Sequence, residues 1–523
     1  MQRTTNSRKG GVATSQPLAS EIGAQILRAG GSAVDAGIAI SAAISVVEPG
    51  ASHLGGDAFL ITHDAISKEN LAFNGSGEAP HQAVFSAFPN GIPLRGFQSA
   101  TIPGLVSTWF AVHEKYGRLP FSELLAPAIK LASDGFKAHQ SFISRMQNHL
   151  KEAPDTELFR QLGIKSDLQL GDLVKQPDLA ITLRKIAIEG RDYFYKGQIA
   201  KALIEATNGW FDQSDLDRHS TRLIAPLQID YRGYKVHGQP PPSQGLILLE
   251  ELALAESFDL ASLSQSQRIH LMVEAKKLAF EDRNRILADP EFDLVDIDAL
   301  FAKNYLDKRR ALINPNQAND ELFSPNEGSD TTYFLAVDGD GNAVSWIQSV
   351  FHGFGASWAI PGTGVIMNNR LTGFSLDPKS RNALAPGKRP AHTLNAWSIT
   401  DRKGNLKYVG GTPGANIQVQ TNFQLITSLI DLKLQVQEVV EAPRWQHLKD
   451  GDSSAIDEAI KGTLYLESRF GEDVIAELEA KGHEVKTLPP YGHGSSVQLL
   501  EVLDDGTFAL ASDPRCEGQA IGI

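Results

Sequence analysis

Residues 331–350 hold two runs rich in β-branched and aromatic residues, Thr331-Thr332-Tyr333-Phe334-Leu335-Ala336-Val337-Asp338 and 343–350, joined by Gly339-Asp340-Gly341-Asn342. Two such runs separated by Gly, Asp and Asn predict a β-hairpin. The first strand opens on two hydroxyls. A cut before Thr331 would leave that residue with both a hydroxyl nucleophile and a free α-amine. In model peptides such an amine has a pKa of about 7.7–8.0, so it can serve as base for its own hydroxyl. Threonine at the head of a strand is also ordinary strand propensity, and both readings stand at this point. Asp338, Asp340 and Asn342 read as turn chemistry. A calcium loop needs Gly at its sixth position and Glu at its twelfth, where Ala343 and Ser349 stand.

The chain has 523 residues, 42% hydrophobic and 21% charged, enough for two or three average domains or one large α/β body. A net charge of −13, with no basic run beyond Lys308-Arg309-Arg310, argues against a nucleic-acid surface and for a small-molecule substrate. The single cysteine, Cys516, excludes an intrachain disulfide framework and a multi-cysteine metal site, and no metal or cofactor is expected. Residues 1–9 are basic but lead into Gly10-Gly11-Val12-Ala13-Thr14-Ser15 without the apolar core of a signal peptide. The longest apolar run, 33–47, contains Asp35 and is shorter than the ~20 residues of a membrane span. A cytoplasmic protein without a membrane partner is the expectation.

Along the chain, apolar periodicity predicts a helix over 16–29 with Ser15 as N-cap and Gly30-Gly31 as its stop. A second helix over 33–47 follows, with Ser32 and Asp35 forming a capping box, and it is apolar on all faces and so buried. The bend Ala51-Ser52-His53-Leu54-Gly55-Gly56-Asp57 enters a strand. It lacks the full dinucleotide-binding glycine pattern, and His53 reads as a loop residue. Further helices are predicted over 103–113, 121–136, 244–255, 267–287, 420–430, 436–442 and 468–481, with strands dominating after Thr331. Residues 314–328 are polar and poor in large apolar side chains, which predicts a mobile, exposed segment ending at the hairpin.

Several familiar chemistries are missing. There is no G-x-S-x-G elbow and no H-E-x-x-H, and Pro386-Gly387-Lys388-Arg389 is not a phosphate-binding loop. What remains is Thr331 and three turns rich in small residues: Phe351-His352-Gly353-Phe354-Gly355, Arg389-Pro390-Ala391-His392-Thr393-Leu394-Asn395 and Gly410-Gly411-Thr412-Pro413-Gly414-Ala415. Acyl transfer through a hydroxyl needs backbone N–H donors aimed at an oxyanion, and glycine-rich turns leave such donors sterically open.

At this point a resemblance emerges. Gly30-Gly31-Ser32-Ala33-Val34-Asp35-Ala36, Val47-Glu48-Pro49, Tyr116-Gly117-Arg118-Leu119-Pro120, Leu124-Leu125-Ala126-Pro127-Ala128-Ile129, Pro240-Pro241-Pro242-Ser243, Glu274-Ala275 through Asp282-Arg283, Asp330-Thr331-Thr332, Gly411-Thr412-Pro413-Gly414 and Ala511-Ser512-Asp513-Pro514-Arg515 occur in order over nearly the whole chain. Together they resemble the γ-glutamyltransferase (glutathione hydrolase) family of N-terminal nucleophile hydrolases, and in particular its members acting on other amides, such as oxamate amidohydrolase and cephalosporin acylase-like enzymes. The resemblance implies an α+β fold, an αββα sandwich of two antiparallel sheets between helical layers. It implies one precursor cut between Asp330 and Thr331. The products would be a large subunit, 1–330, and a small one, 331–523, that stay together as an intertwined heterodimer, with further dimerisation left open. By position, Thr331 is similar to the family's nucleophile, Ser349 to a hydroxyl that hydrogen-bonds it, and Gly414 and Ala415 to the residues whose N–H groups form the oxyanion hole.

The positions that grip a γ-glutamyl group depart from the family pattern. Ser76-Gly77-Glu78 stands where an arginine is usual, and Phe351 stands where an asparagine is usual. Asn368-Asn369-Arg370-Leu371-Thr372-Gly373 lacks the usual acidic pair, and His392-Thr393 replaces two serines. Losing such partners costs the matching ligand a few kcal/mol per group. The expectation is an amidohydrolase acting on a small carboxylate-bearing amide, oxamate-like or glutaryl-like. Its substrate-binding set would be Arg370, His392, Thr393, Phe351 and Glu78. Arg370 would clamp a carboxylate unless it is structural, and Glu78 leaves open a hold on a cation. A γ-glutamyltransferase acting on γ-glutamyl compounds is the alternative, and a non-catalytic binding protein on the same scaffold is the alternative of another class.

Overall fold

The computed structural model describes residues 4–319, 331–449 and 462–523. Asp330, and with it the expected cut, lies outside the described residues, as does the 320–328 part of the polar segment. Two seven-stranded sheets form the body. In the first, the strands run in the order Thr4–Ser7, Phe508–Ser512, Gln498–Val502, Leu406–Gly411, Trp397–Thr400, Tyr234–Gly238, Leu227–Tyr231. In the second the order is Gln519–Gly522, Gly10–Thr14, Thr332–Asp338, Ala343–Ser349, Asp57–His63, Asn70–Asn74, Arg222–Ile224. All neighbours within both sheets are antiparallel.

The layering follows from the two-residue period of the central hairpin. Tyr333, Leu335 and Val337 pack with Phe59, Val409, Leu500 and Leu510 between the sheets, whereas Phe334 and Ala336 turn outward to the helices Pro17–Arg28 and Ala33–Val47. On the other side, Gly245–Ala255, Gln265–Ile286 and Ile417–Ile430 cover the first sheet around Trp397 and Ile399. A strand apolar on both faces is what a position between two layers requires. Strands from before and after Thr331 are intermixed in the second sheet, so neither part of the chain completes that sheet alone.

The hairpin forms in the predicted place. Its turn is held by the Asp338 carboxylate, whose Oδ1 accepts from the N–H groups of Asp340 and Asn342, both at 3.0 Å. The Ser32–Asp35 capping box is present, and every residue of Ala33–Val47 is buried. One cap differs: Gln16, not Ser15, caps Pro17–Arg28, its Oε1 accepting from Ala19 N at 3.1 Å. The Ser15 hydroxyl turns instead toward Glu48 and Thr332, at 3.1 and 2.9 Å. The helix expected over 468–481 begins later, as Glu472–Ala480. A short 3₁₀ turn, Ser468–Phe470, precedes it, and Gly471 at φ +89° breaks the two apart.

Candidate active site

The antiparallel register pairs Thr332 with Gln348, and this sets Thr331 beside Ser349 at the open end of the hairpin. Thr331 is buried, and its Oγ1 donates to Ser349 Oγ at 3.5 Å. That length is loose for a hydroxyl pair, as unliganded catalytic hydrogen bonds often are. Ser349 Oγ also accepts from the N–H of Phe351 at 2.8 Å, which ties the serine to the turn that follows it. On the neighbouring residue, Thr332 Oγ1 lies 3.3 Å from Glu48 Oε2. Glu48 sits at the C-cap of Ala33–Val47, so the buried helix delivers a carboxylate to the base of the strand.

The second component arrives from the other sheet. Leu406–Gly411 runs into Thr412-Pro413-Gly414-Ala415, and Ile417–Ile430 starts directly after. Gly414 takes φ +123° and Ala415 φ +42°, and a Cβ on Gly414 would lie 2.5 Å from Ile417 Cγ1. Among the described residues, neither the Gly414 nor the Ala415 N–H donates to a protein acceptor. Two consecutive donors at a helix N-terminus make a site for a developing oxyanion. The loop is fixed by Gln244, whose Nε2 donates to the carbonyls of Ala415 and Thr393, both at 2.9 Å. Arg283 in turn donates to Gln244 Oε1 at 3.2 Å and to Asn416 Oδ1 at 2.6 Å. Neither residue stood out from the sequence as a support for this loop. Both lie in quoted stretches, but the contact joins segments far apart in the chain. Thr331, Gly414, Ser15, Glu48, Arg145 and His493 are among the residues lining one cavity of about 280 Å³.

Two of the five expected substrate residues converge on Asp57, which the sequence alone places only at the end of a bend, and a third, Phe351, covers one of them. Asp57 lies across from Ser349 on the adjacent strand. Its Oδ1 accepts from Gly77 N at 3.0 Å, and its Oδ2 accepts from Arg370 Nε and His392 Nε2, each at 3.3 Å. The Arg370 guanidinium lies 4.0 Å from the centre of the Phe351 ring. Arg370 is therefore buried, part-neutralised and covered, and burial brings its pKa down to about 10 against the pull of Asp57. Its Nη2 has no hydrogen-bond partner among the described residues. Burial, with Arg370 close by, lowers His392 to about 4, so the ring is neutral. Its Nδ1 accepts from Leu394 N at 3.2 Å, which leaves the proton on Nε2, facing Asp57.

The other two residues sit differently. Thr393 joins the site through its carbonyl, on Gln244. Glu78 does not offer its charge to a ligand cation. Oε2 accepts from His219 Nδ1 at 2.7 Å, and Oε1 accepts from Arg389 Nε at 2.9 Å and from its Nη2. Burial alone would raise its pKa; His219 and Arg389 outweigh that and hold it at about 2. The hold on a cation that Glu78 leaves open in the sequence has little room here, since both of its oxygens already accept hydrogen bonds.

Two antiparallel sheets between helical layers, with a hydroxyl residue heading a central strand, are the architecture of the N-terminal nucleophile hydrolases. The gamma-glutamyltranspeptidase family model matches residues 19–523, and the chain belongs to that family of hydrolases. It is 34% identical to the glutathione hydrolase-like YwrD proenzyme of Bacillus subtilis (strain 168), covering 100% of both chains. It is likewise 34% identical to the oxamate amidohydrolase proenzyme of Klebsiella pneumoniae, covering 97% of each. Among solved structures, the cephalosporin acylase of Bacillus halodurans superposes with a TM-score of 0.91 at 31% identity, over 100% of this chain and 97% of that one. Among the described residues no helix is long and apolar enough to cross a membrane.

Proposed function

We propose that this chain is a precursor that cuts itself between Asp330 and Thr331, and that the resulting two-fragment enzyme hydrolyses an amide of a small carboxylate-bearing acid through an acyl-enzyme. In the cut enzyme the Thr331 hydroxyl attacks the amide carbon and its proton passes to the Thr331 α-amine. The carbonyl oxygen takes the negative charge toward the Gly414 and Ala415 N–H groups. The C–N bond then breaks as the amine nitrogen receives the proton, and water hydrolyses the ester. Ser349 orients the nucleophile. The observation that carries this reading is the 3.5 Å approach of Thr331 Oγ1 to Ser349 Oγ in a cavity shared with Gly414.

The acyl group is read as anionic and without an α-ammonium. Arg370 Nη2 is a buried cationic donor without a partner among the described residues, while the Phe351 ring is taken by the Arg370 guanidinium and the Glu78 carboxylate by His219 and Arg389. Arg145 puts a second cation on the cavity wall itself. Hydrolysis of γ-glutamyl compounds is the competing reading, favoured by the similarity to the glutathione hydrolase-like proenzyme of Bacillus subtilis.

Two experiments test the proposal. On a denaturing gel, purified protein should give two bands. Edman sequencing of the smaller should read Thr-Thr-Tyr-Phe, and Thr331→Ala should stay uncut and inactive. Oxamate, a glutaryl anilide and the matching γ-glutamyl anilide are then compared by kcat/KM. A γ-glutamyl preference of tenfold or more, ~1.4 kcal/mol in transition-state binding, overturns the assignment of the acyl group and leaves the nucleophile standing.

A further inference from the structure

Glu48 belongs to the Val47-Glu48-Pro49 motif, and no step described above uses it. Its side chain is buried, with only 3% of the residue exposed, yet it lines the same cavity as Thr331. The hydrogen-bond partners of its carboxylate are hydroxyls: Ser15 Oγ at 3.1 Å and Thr332 Oγ1 at 3.3 Å, themselves 2.9 Å apart. Among the described residues it has no ion-pair partner within 4.0 Å. A buried carboxylate whose contacts are hydroxyls has no counter-charge in direct contact, and the His139 ring feels its charge only at longer range. The bond expected to break lies one peptide away from Thr332, and its breaking creates a cation there.

We propose that Glu48 is a positioning residue for the reaction: its carboxylate is the counter-charge of the α-ammonium that self-cleavage creates on Thr331, and it sets the pH at which that amine becomes a base. The proposal rests on Thr331 being the nucleophile. It also gives the Ser15 hydroxyl, turned away from its helix, a role in holding the Glu48 carboxylate.

Other charged groups face this region from each packed element. From the loop before and the start of helix Gln140–Glu152 come His139 and Arg145. His139 Nε2 donates to Val47 O at 3.0 Å and its Nδ1 to Glu517 at 2.7 Å, so both ring nitrogens meet acceptors. Although burial opposes it, the pKa of His139 is raised, by Glu517 first, then by the Val47 carbonyl and the Glu48 charge, so Glu48→Gln is read together with His139→Gln. Arg515 is taken by Glu467 and Asp513. Burial holds His493 down at about 3, neutral through the working range. His139 is thus the one histidine here that competes with the amine for the acid limb of a pH profile, and it serves as the control.

The test is the pH dependence of kcat/KM for the self-cleaved enzyme, on whichever amide of the panel it hydrolyses best. Glu48→Gln keeps an oxygen for Ser15 and Thr332 and removes the charge. The acid limb is expected to move down by about one pH unit, the size of shift an adjacent opposite charge produces. Glu48→Asp draws the charge back by one methylene and is expected to move the limb by less, in the same direction. If Glu48→Gln is not processed, the Asp variant decides. An unmoved limb in the processed variant overturns the proposal, and so does a limb that follows His139→Gln instead. Activity surviving in Thr331→Ala signals a different failure, that of the nucleophile assignment itself.

Discussion

Gly414→Ala probes the oxyanion loop where the structure leaves least room. At φ +123° an L side chain is strained on backbone grounds, at a cost of about 1–3 kcal/mol. The new Cβ would also meet Ile417 Cγ1 at 2.5 Å and Cδ1 at 2.8 Å, and overpacking of this kind adds about 1–3 kcal/mol. A chain of 523 residues, at about 2.1 cal/mol/K of unfolding entropy per residue, loses only about 1 °C of melting temperature per kcal/mol. The thermal effect should therefore be a few degrees, readable by calorimetry but modest. Activity should respond far more. The Ile417 side chain, which lines the cavity, can yield part of the clash, but the positive-φ strain is relieved by tilting the loop's peptide planes, and losing one oxyanion donor costs about 10²–10³ in kcat. Ala415→Gly is the counterpart. It relieves about 1–2 kcal/mol of left-handed strain at φ +42° and gives back about 0.4–1 kcal/mol through the freer unfolded chain. Its melting temperature should stay within about 1 °C, and its kcat should be kept. A Gly414→Ala enzyme with wild-type kcat, or an Ala415→Gly enzyme that loses it a hundredfold, refutes the placement of the oxyanion donors.

Glu78, held at about 2 against a usual 4.5, contributes stability that is full above pH 4.5 and is lost as pH falls toward 2. In denaturant titrations between pH 5 and 2.5, Glu78→Gln should flatten a loss of about 3 kcal/mol. The buried pair His270 and His483, with Nδ1 and Nε2 2.8 Å apart, sits lowered to about 4 and about 3, chiefly by burial. A histidine kept neutral in the fold adds stability above its unfolded pKa of 6.5 that fades as pH drops toward 4. His270→Asn should therefore weaken the pH dependence of stability between 7 and 4.5 by on the order of 2–3 kcal/mol. Arg370→Met leaves Asp57 buried with only His392 and Gly77 N, and should destabilise by about 3–5 kcal/mol in chemical denaturation. Adding Asp57→Asn to it should recover part of that loss, and a double variant no more stable than Arg370→Met removes the case for a coupled pair.

The parts legible in the sequence were those encoded locally. The hairpin, the Ser32–Asp35 box and the all-apolar helix Ala33–Val47 depend on residues a few positions apart, and each forms where periodicity and turn chemistry predict it. Ser15 departs from its local reading for the complementary reason. As a local cap it is plausible, but Glu48 and Thr332 reach its hydroxyl only after the hairpin has docked on the helices. Asp57 is a stronger case. Nothing near Gly55-Gly56-Asp57 marks it as a hub, because its partners Arg370 and His392 come from distant loops and its place beside Ser349 is a matter of sheet register. Glu78 could be read as an open carboxylate only while His219 and Arg389 were unplaced.

The register that places Asp57 opposite Ser349 also divides the work of the site. Positions assigned to bond cleavage depend on backbone geometry: Thr331 on the end of a strand, Ser349 on the end of its partner, Gly414 and Ala415 on two positive φ values. These tolerate little change in the main chain, and the side chains that support them, Gln244 and Arg283 at the loop, act by fixing that main chain. Positions assigned to recognition are side chains gathered on one buried carboxylate, and they hold each other in balance. Arg370 needs Asp57 for its charge and Phe351 for its face, while His392 stays neutral with its proton toward Asp57. A substitution at one of them leaves a charge or donor uncompensated in the interior, so the group changes as a set or not at all. The four departures at Ser76-Gly77-Glu78, Phe351, Arg370 and His392-Thr393 have this character. Arg370 and His392 meet at Asp57 with Phe351 over the Arg370 guanidinium, and Gly77, whose N–H Asp57 also binds, could carry no Cβ, which would lie 1.6 Å from the Ile102 carbonyl oxygen. A chain can thus exchange its grip on the acyl group while the strand end and the oxyanion loop keep their geometry.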